Sequence, residues 1–189
     1  MDHNLSAILT DGQFNAVYNM LSLGLAAMIA TTVFMLAAQK RVLPRYRQAL
    51  IVSAMVTLIA GYHYFRIFES FKHAFEATPN NPFAYNMGYR KLFGLSAPVW
   101  GALSTIPFIY ILYVLFVELT KSLERQSPDV RGTVTRLRML LIATWGVYPI
   151  SFILNMNADP NSPNWDTFVA REIGYSIADI LAKCLFGLT

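Results

Sequence analysis

Gly12-Gln-Phe-Asn-Ala-Val-Tyr-Asn-Met-Leu-Ser-Leu-Gly-Leu-Ala-Ala-Met-Ile-Ala-Thr-Thr-Val-Phe-Met-Leu-Ala-Ala-Gln39 carries no charged side chain from end to end. A helix of this length crosses a bilayer with some tilt, whereas a soluble helix of such length shows a polar face. Asn15 and Asn19 fall early in it, where an interface or a neighbouring helix can satisfy them. The stretch therefore decides the fold class: an integral membrane protein.

Composition agrees. The 189-residue chain is 55% hydrophobic and 14% charged, with mean hydropathy +0.41. Soluble domains average about a quarter charged. The net charge of +4 does not read as nucleic-acid binding, because the basic residues cluster between apolar runs as a topology signal. One cysteine, Cys184, rules out an internal disulfide framework and a thiolate metal cluster. The start of the chain lacks the basic segment of a cleavable signal peptide.

Further uncharged runs follow. Lys40, Arg41, Arg45 and Arg47 surround Pro44 with no acid among them, so this loop is expected on the cytoplasmic side and the N-terminus outside. A second run from Gln48 continues through Gly61-Tyr-His-Tyr-Phe-Arg-Ile-Phe68 and ends in a mixed-charge loop with Pro79 and Pro82. A third covers Leu92 to Val117. Its following loop sets Lys121, Arg125, Arg131, Arg136 and Arg138 against Glu118, Glu124 and Asp129, and is net basic. A fourth run begins at Met139, and a net acidic loop from Asp159 to Glu172 precedes the last. The expected spans are about 12–39, 48–72, 96–120, 134–157 and 168–189, in one domain covering 1–189. Runs this long are helices and not barrel strands, whose segments are ~10 residues of alternating polarity. The fold class is all-α, a membrane helical bundle.

The last run is apolar except for Asp179 and Lys183. Four apart, they share a helix face. Ionisable groups inside an apolar span are costly and mark function by default. Desolvation disfavours a lysine's charged form and frees the amine to attack an aldehyde, and Asp179 is placed to balance the cation that results. On spacing alone, a structural ion pair or a snorkelling lysine is the plainer reading.

Other motifs are open to ordinary packing readings. In Trp145-Gly-Val-Tyr148-Pro149, the proline leaves a carbonyl four residues back without its amide, so a kink is expected, and the two aromatics share a face that can wall a flat ligand or fill a core. Gly101, Ser104, Thr105 and Phe108 share a face at small-residue spacing, which suits helix contact or a gap. His63 inside its span is a core residue or half of a proton-holding pair. No Ser/His/Asp set, phosphate-binding glycine loop or metal-ligand cluster stands out, and the chain does not read as an enzyme.

Together these stretches resemble the microbial (type 1) rhodopsins, in particular the xanthorhodopsin-like branch of the proteorhodopsin group. Asp179-Ile-Leu-Ala-Lys183 with Leu185-Phe-Gly-Leu188 resembles the family's seventh helix. Trp145 to Pro149 resembles the sixth, Leu103 to Phe116 the fifth, and Gly61 to Phe68 the second. The resemblance implies all-trans retinal as cofactor, with Lys183 as the Schiff-base lysine and Asp179 as counterion. It implies His63 and Arg90 as counterion-associated residues, and a retinal pocket of Trp145, Tyr148, Pro149, Tyr175, Ser104, Thr105 and Phe108. Gly101 matches the glycine that opens a window beside which a carotenoid antenna can lie. The partners implied are retinal, membrane lipid, a carotenoid and further copies of the chain, in a multi-pass protein of the cell inner membrane with a cytoplasmic C-terminus.

The sequence departs from the family between Arg90 and Lys91. There the resemblance jumps from the start of the third helix to the approach to the fifth, so the family's third and fourth helices are missing, and with them the proton acceptor and donor carboxylates. The implied function is a retinal-binding light-driven outward proton pump. For the chain as written, the expectation is a pigment shifted to the blue that pumps poorly. The competing readings are a photosensory, non-pumping retinal protein and a non-functional truncated remnant.

Overall fold

The computed structural model describes residues 5–78, 81–87, 97–154 and 164–188. Helix α1 (Asp11–Ala38) opens with a capping box: Thr10 Oγ1 accepts from the Gln13 amide at 3.2 Å, and Gln13 Oε1 accepts from the Thr10 amide at 3.0 Å. These bonds satisfy donors that a helix start otherwise leaves orphaned. A 3-10 turn, Gln39–Arg41, leads into α2 (Pro44–Ala74), whose Pro44 stands in the first turn, where its missing amide costs nothing. Arg45 and Arg47, read from sequence as loop, therefore belong to α2.

The third span is α3 (Ala97–Tyr113), a π-helix Val114–Glu118 and α4 (Leu119–Leu123). The fourth is α5 (Pro128–Trp145) and α6 (Val147–Leu154). Its break at Gly146 is the expected kink: Pro149 cannot donate to the Trp145 carbonyl, and the helix parts there. The fifth is α7 (Trp165–Asp179), a π-helix Ile180–Leu185 and α8 (Phe186–Leu188). Asn164 caps it by accepting from the Thr167 amide at 3.1 Å. Among the described residues, four helical stretches are long and apolar enough to cross a membrane: Asp11–Arg41, Pro44–Ala74, Gly101–Leu123 and Pro128–Leu154. The fifth span, Trp165–Leu188, has the length but carries Asp166, Arg171, Glu172, Asp179 and Lys183.

The stretch with Pro79 and Pro82, expected to be a loop, is a correction. Three short antiparallel strands form here: β1 (Leu5–Ile8), β2 (Phe75–Thr78) and β3 (Asn81–Met87), in the order β1-β3-β2. Leu5 pairs with Met87 and Phe75 with Tyr85. Pro82 falls where the β2–β3 register shifts, an irregularity that accommodates a residue without an amide hydrogen. Pro79 lies outside the described residues. At the same end, Phe14, Tyr18, Phe68, Phe71, Phe75 and Phe168 meet at ring separations of 4.8–6.4 Å.

Helix α1 is central, packed on α2 along one side and on the fifth span along another, and α6 continues the arc against α7. Small residues set the close approaches. The Tyr64 ring crosses α1 at Gly24, and Gly174 lies on Ser151. The buried Thr32 and Thr57 hydroxyls meet at 2.9 Å between α1 and α2, and Thr32 also donates to the Met28 carbonyl at 2.8 Å. Such contacts replace the hydrophobic drive that lipid cannot supply between helices. The third span instead leans on the fourth at a few side chains, and none of its apolar window is buried. The described spans thus form an arc, second-first-fifth-fourth-third.

A Cβ at Gly24 would lie 2.3 Å from Tyr64 Cε1 and 2.7 Å from Cδ1. Gly24→Ala is therefore expected to destabilise the protein by about 1–3 kcal/mol through overpacking, read as a lower thermal midpoint in lipid nanodiscs. Gly132, in α5 with nothing within 4 Å of an added Cβ, is the contrast. There alanine should be neutral or stabilising by up to about 1 kcal/mol.

Candidate functional site

Asp179 ends α7, and Lys183 lies one turn on, inside the π-helix Ile180–Leu185. The wider π turn is a rare form that recurs at functional positions. It brings the Lys183 ammonium onto Asp179 Oδ1. The same oxygen accepts the Tyr148 hydroxyl from α6. Lys183 Nζ stands 3.4 Å from Tyr148 Oη and 5.8 Å from the centre of its ring. The Asp179 side chain is 13% exposed and that of Lys183 33%. The pair is thus partly withdrawn from water and held by a third group, so it does not resemble a freely solvated surface ion pair.

Behind the carboxylate stands a residue that sequence reading did not single out. Tyr64 of α2, 3% exposed, turns its hydroxyl toward Asp179 and Ser176, and Ser176 is itself 1% exposed. The signal was present in the helix period. Ala54, Thr57, Gly61 and Tyr64 repeat at intervals of three and four and are all buried, so they define the inward face of α2. His63 lies off that face. It is exposed and does not join the Lys183 cluster. One residue's rotation along α2 puts Tyr64 inward and His63 outward, toward the side where the described arc has no neighbour.

Trp145 and Tyr148 do share a face. Their rings meet edge-on at 6.3 Å, and Tyr175 lies tilted against Tyr148 at 6.3 Å. Phe108 stacks on Trp145 at 5.9 Å with 9° between planes. These four rings make one continuous aromatic wall beside Lys183. Pro149 supports the wall through the helix break, and the Ser151–Gly174 contact holds α6 close to α7, and so Tyr148 close to Asp179. Thr105 is exposed and donates to the Gly101 carbonyl at 2.8 Å, away from Lys183. Ser104 lies on α3 with its side chain outside the described residues, and so does Arg90 entirely. Gly101 is not an open notch. A Cβ there would meet Phe152 Cε1 and Cζ at 2.8 Å, so the Phe152 ring sits on the glycine.

Among the described residues no group of three or more His, Cys, Asp or Glu could hold a metal ion. The chemistry on offer is that of one primary amine and one carboxylate, tied by two tyrosines, at the foot of an aromatic wall.

Comparison with known proteins points the same way. The family model described as "Bacteriorhodopsin-like protein" matches residues 89–189. Bacteriorhodopsin of Halobacterium salinarum is 34% identical over 91 residues, covering 48% of this chain and 33% of that protein. Archaerhodopsin-2 of Halobacterium sp. (strain aus-2) is 35% identical over 93 residues, covering 49% and 34%. The matched part thus spans about a third of the length of these curated relatives. Among solved structures, xanthorhodopsin, described as a light-driven ion pump with dual chromophore, is similar with a TM-score of 0.76 and 32% identity. That likeness covers 98% of this chain and 94% of that one. Thermophilic rhodopsin gives a TM-score of 0.76 at 33% identity, with 95% and 92% covered.

Proposed function

This chain belongs to the bacteriorhodopsin-like protein family, and we propose that it is a retinal-binding membrane protein of the light-driven outward proton-pump type, built on the plan of the xanthorhodopsin-like branch. The contact of the Lys183 amine with the Asp179 carboxylate, inside the π-helix and closed by Tyr148 and Tyr64, carries the reading.

The residues fit retinal at its attachment end. One amine is available on an apolar span, one anion balances one cation, and the rings of Trp145, Tyr148, Tyr175 and Phe108 line one side. When bound at Lys183, all-trans retinal supplies light absorption and isomerisation. The chain supplies the rest. Lys183 offers the nucleophilic nitrogen. Asp179 holds the compensating negative charge, and Tyr148 and Tyr64 fix the orientation of its carboxylate and limit its contact with water. Pro149 sets the angle of α6 so that Tyr148 reaches across. The aromatic wall excludes water from the amine on that side.

A pump also needs a carboxylate to accept the proton and another to resupply it. Among the described residues, Asp179 is the carboxylate in contact with Lys183, while Glu172, nearly two turns earlier, is held by Arg171 at 2.7 Å. We read the family's third and fourth helices as absent between Arg90 and Lys91. The unburied face of the third span supports this. The chain as written is therefore expected to form pigment and move few or no protons. A carotenoid beside Gly101 would require Phe152 to turn aside. The loop charges favour an N-terminus outside, and the resemblance favours an inner-membrane location.

The test is light-driven pH recording on vesicles holding the chain and all-trans retinal. No signal above the Lys183→Ala control is expected. A sustained, protonophore-sensitive outward proton signal would show that the chain carries its own relay.

A further inference from the structure

Arg138 is the most deeply buried cation in the described protein, at 8% exposure, and the pigment site makes no use of it. It lies in α5, on the side of the net basic loop, and faces the end of the third span. Its Nη1 donates to Thr120 Oγ1 at 2.9 Å, and its guanidinium carbon stands 5.6 Å from the centre of the Phe116 ring. Thr120 in turn donates to the Phe116 carbonyl at 2.7 Å, so the acceptor is itself fixed. The other two nitrogens, Nε and Nη2, are enclosed and have no hydrogen-bond partner.

Those two nitrogens form one edge of the guanidinium. Their N–H bonds run parallel, the arrangement that takes two oxygens of a carboxylate or phosphate at once. A buried fixed cation with a whole donor edge unsatisfied is costly, and it points to a missing anion. The nearby acid Glu118 does not supply it, since Lys121 holds it at 2.9 Å and Tyr113 donates to it at 2.9 Å. The surroundings favour an anion: Lys121, Arg125, Arg131 and Arg136 outnumber the acids of the same loop. An oxyanion reaches these enclosed nitrogens when the third span, which carries Phe116 and Thr120 and buries none of its apolar window in the bundle, shifts outward from the fourth.

We propose that Arg138, steadied by Thr120 and Phe116, is a binding site for a phosphate-type oxyanion between the third and fourth spans. Such an oxyanion reaches this depth either as the headgroup of an anionic phospholipid or as a free ion. The site does not depend on the retinal reading. It ties the loosely held third span to the fourth through charge and not through packing.

The test uses the full chain in nanodiscs of phosphatidylcholine, with or without phosphatidylglycerol, and with inorganic phosphate added at constant ionic strength. Native mass spectrometry reads the retained lipid, and the thermal midpoint reads stabilisation. The protein is expected to retain phosphatidylglycerol and to gain in midpoint from it, and Arg138→Gln to retain about tenfold less. Arg138→Lys keeps the charge, loses the donor edge, and is expected to fall with Arg138→Gln. This variant carries the test if the glutamine protein does not fold. Arg136→Gln, at an exposed neighbour, should leave retention unchanged. An Arg138-dependent gain from phosphate without the lipid would identify a free ion as the ligand and support the site. Equal retention and equal midpoints for the wild-type, Arg138→Gln and Arg138→Lys proteins in every arm would overturn it.

Discussion

Lys183→Ala is expected to abolish the visible absorption band that all-trans retinal raises in membranes holding this chain. The other described lysines are poor substitutes. Lys40 is exposed beyond α1, Lys72 pairs with Glu69 at 3.3 Å, and Lys121 pairs with Glu118 at 2.9 Å. Each is exposed to water at a helix end, whereas Lys183 is half-buried. Lys183 alone among the described lysines stands on an apolar span beside an aromatic wall. The loss should be complete and not graded, because a missing attachment atom cannot be replaced by nearby packing. Spectra of wild-type and variant membranes before and after retinal addition check this, and an undiminished band in the variant would refute the assignment.

Asp179→Asn should have the next largest effect. The change keeps the shape of the side chain and removes its charge, so a cation at Lys183 is left with the neutral hydroxyl of Tyr148 at 3.4 Å. An opposite charge in contact inside a span of low dielectric is worth roughly one to three powers of ten in the balance between charged and neutral forms. The visible band of the variant at neutral pH should therefore be weaker than that of the wild type. Lowering the pH should restore it, since protons then replace what the carboxylate provided. Asp179→Glu, which keeps the anion on a longer arm, should lose much less. A band of equal height and equal pH dependence in Asp179→Asn would mean that another anion balances Lys183.

Much of this was legible in the residues because membrane spans are governed by a local rule. Uncharged length places a helix, so the Gly12–Gln39 run marks α1 almost end to end. Pro149 foretells the break at Gly146, because a missing amide acts on its own helix. The Asp179–Lys183 contact was legible for the same reason, since both residues lie on one turn. What escaped depends on partners distant in sequence. The sheet joins Leu5–Ile8 to Asn81–Met87, and neither segment alternates strongly enough to announce a strand. His63 drew attention as the one histidine inside an expected span, while Tyr64 is the residue that α2 turns toward Asp179. Within α2 only the three-and-four spacing of Ala54, Thr57, Gly61 and Tyr64 marks that face, and its seat against Gly24 lies on the other helix. Likewise the seat of Phe152 on Gly101 follows from how α6 meets α3, and glycine spacing alone reads equally well as a gap.

The Lys183 amine as the carrier of the chromophore is the claim on which the proposed function depends. The most direct measurement is mass spectrometry of the digested protein after all-trans retinal has been added and the pigment reduced with borohydride. A retinyl mass is expected on the peptide that contains Lys183 and on no other. The same mass on a peptide with Lys40, Lys72, Lys91 or Lys121, or no adduct on any peptide, would contradict it.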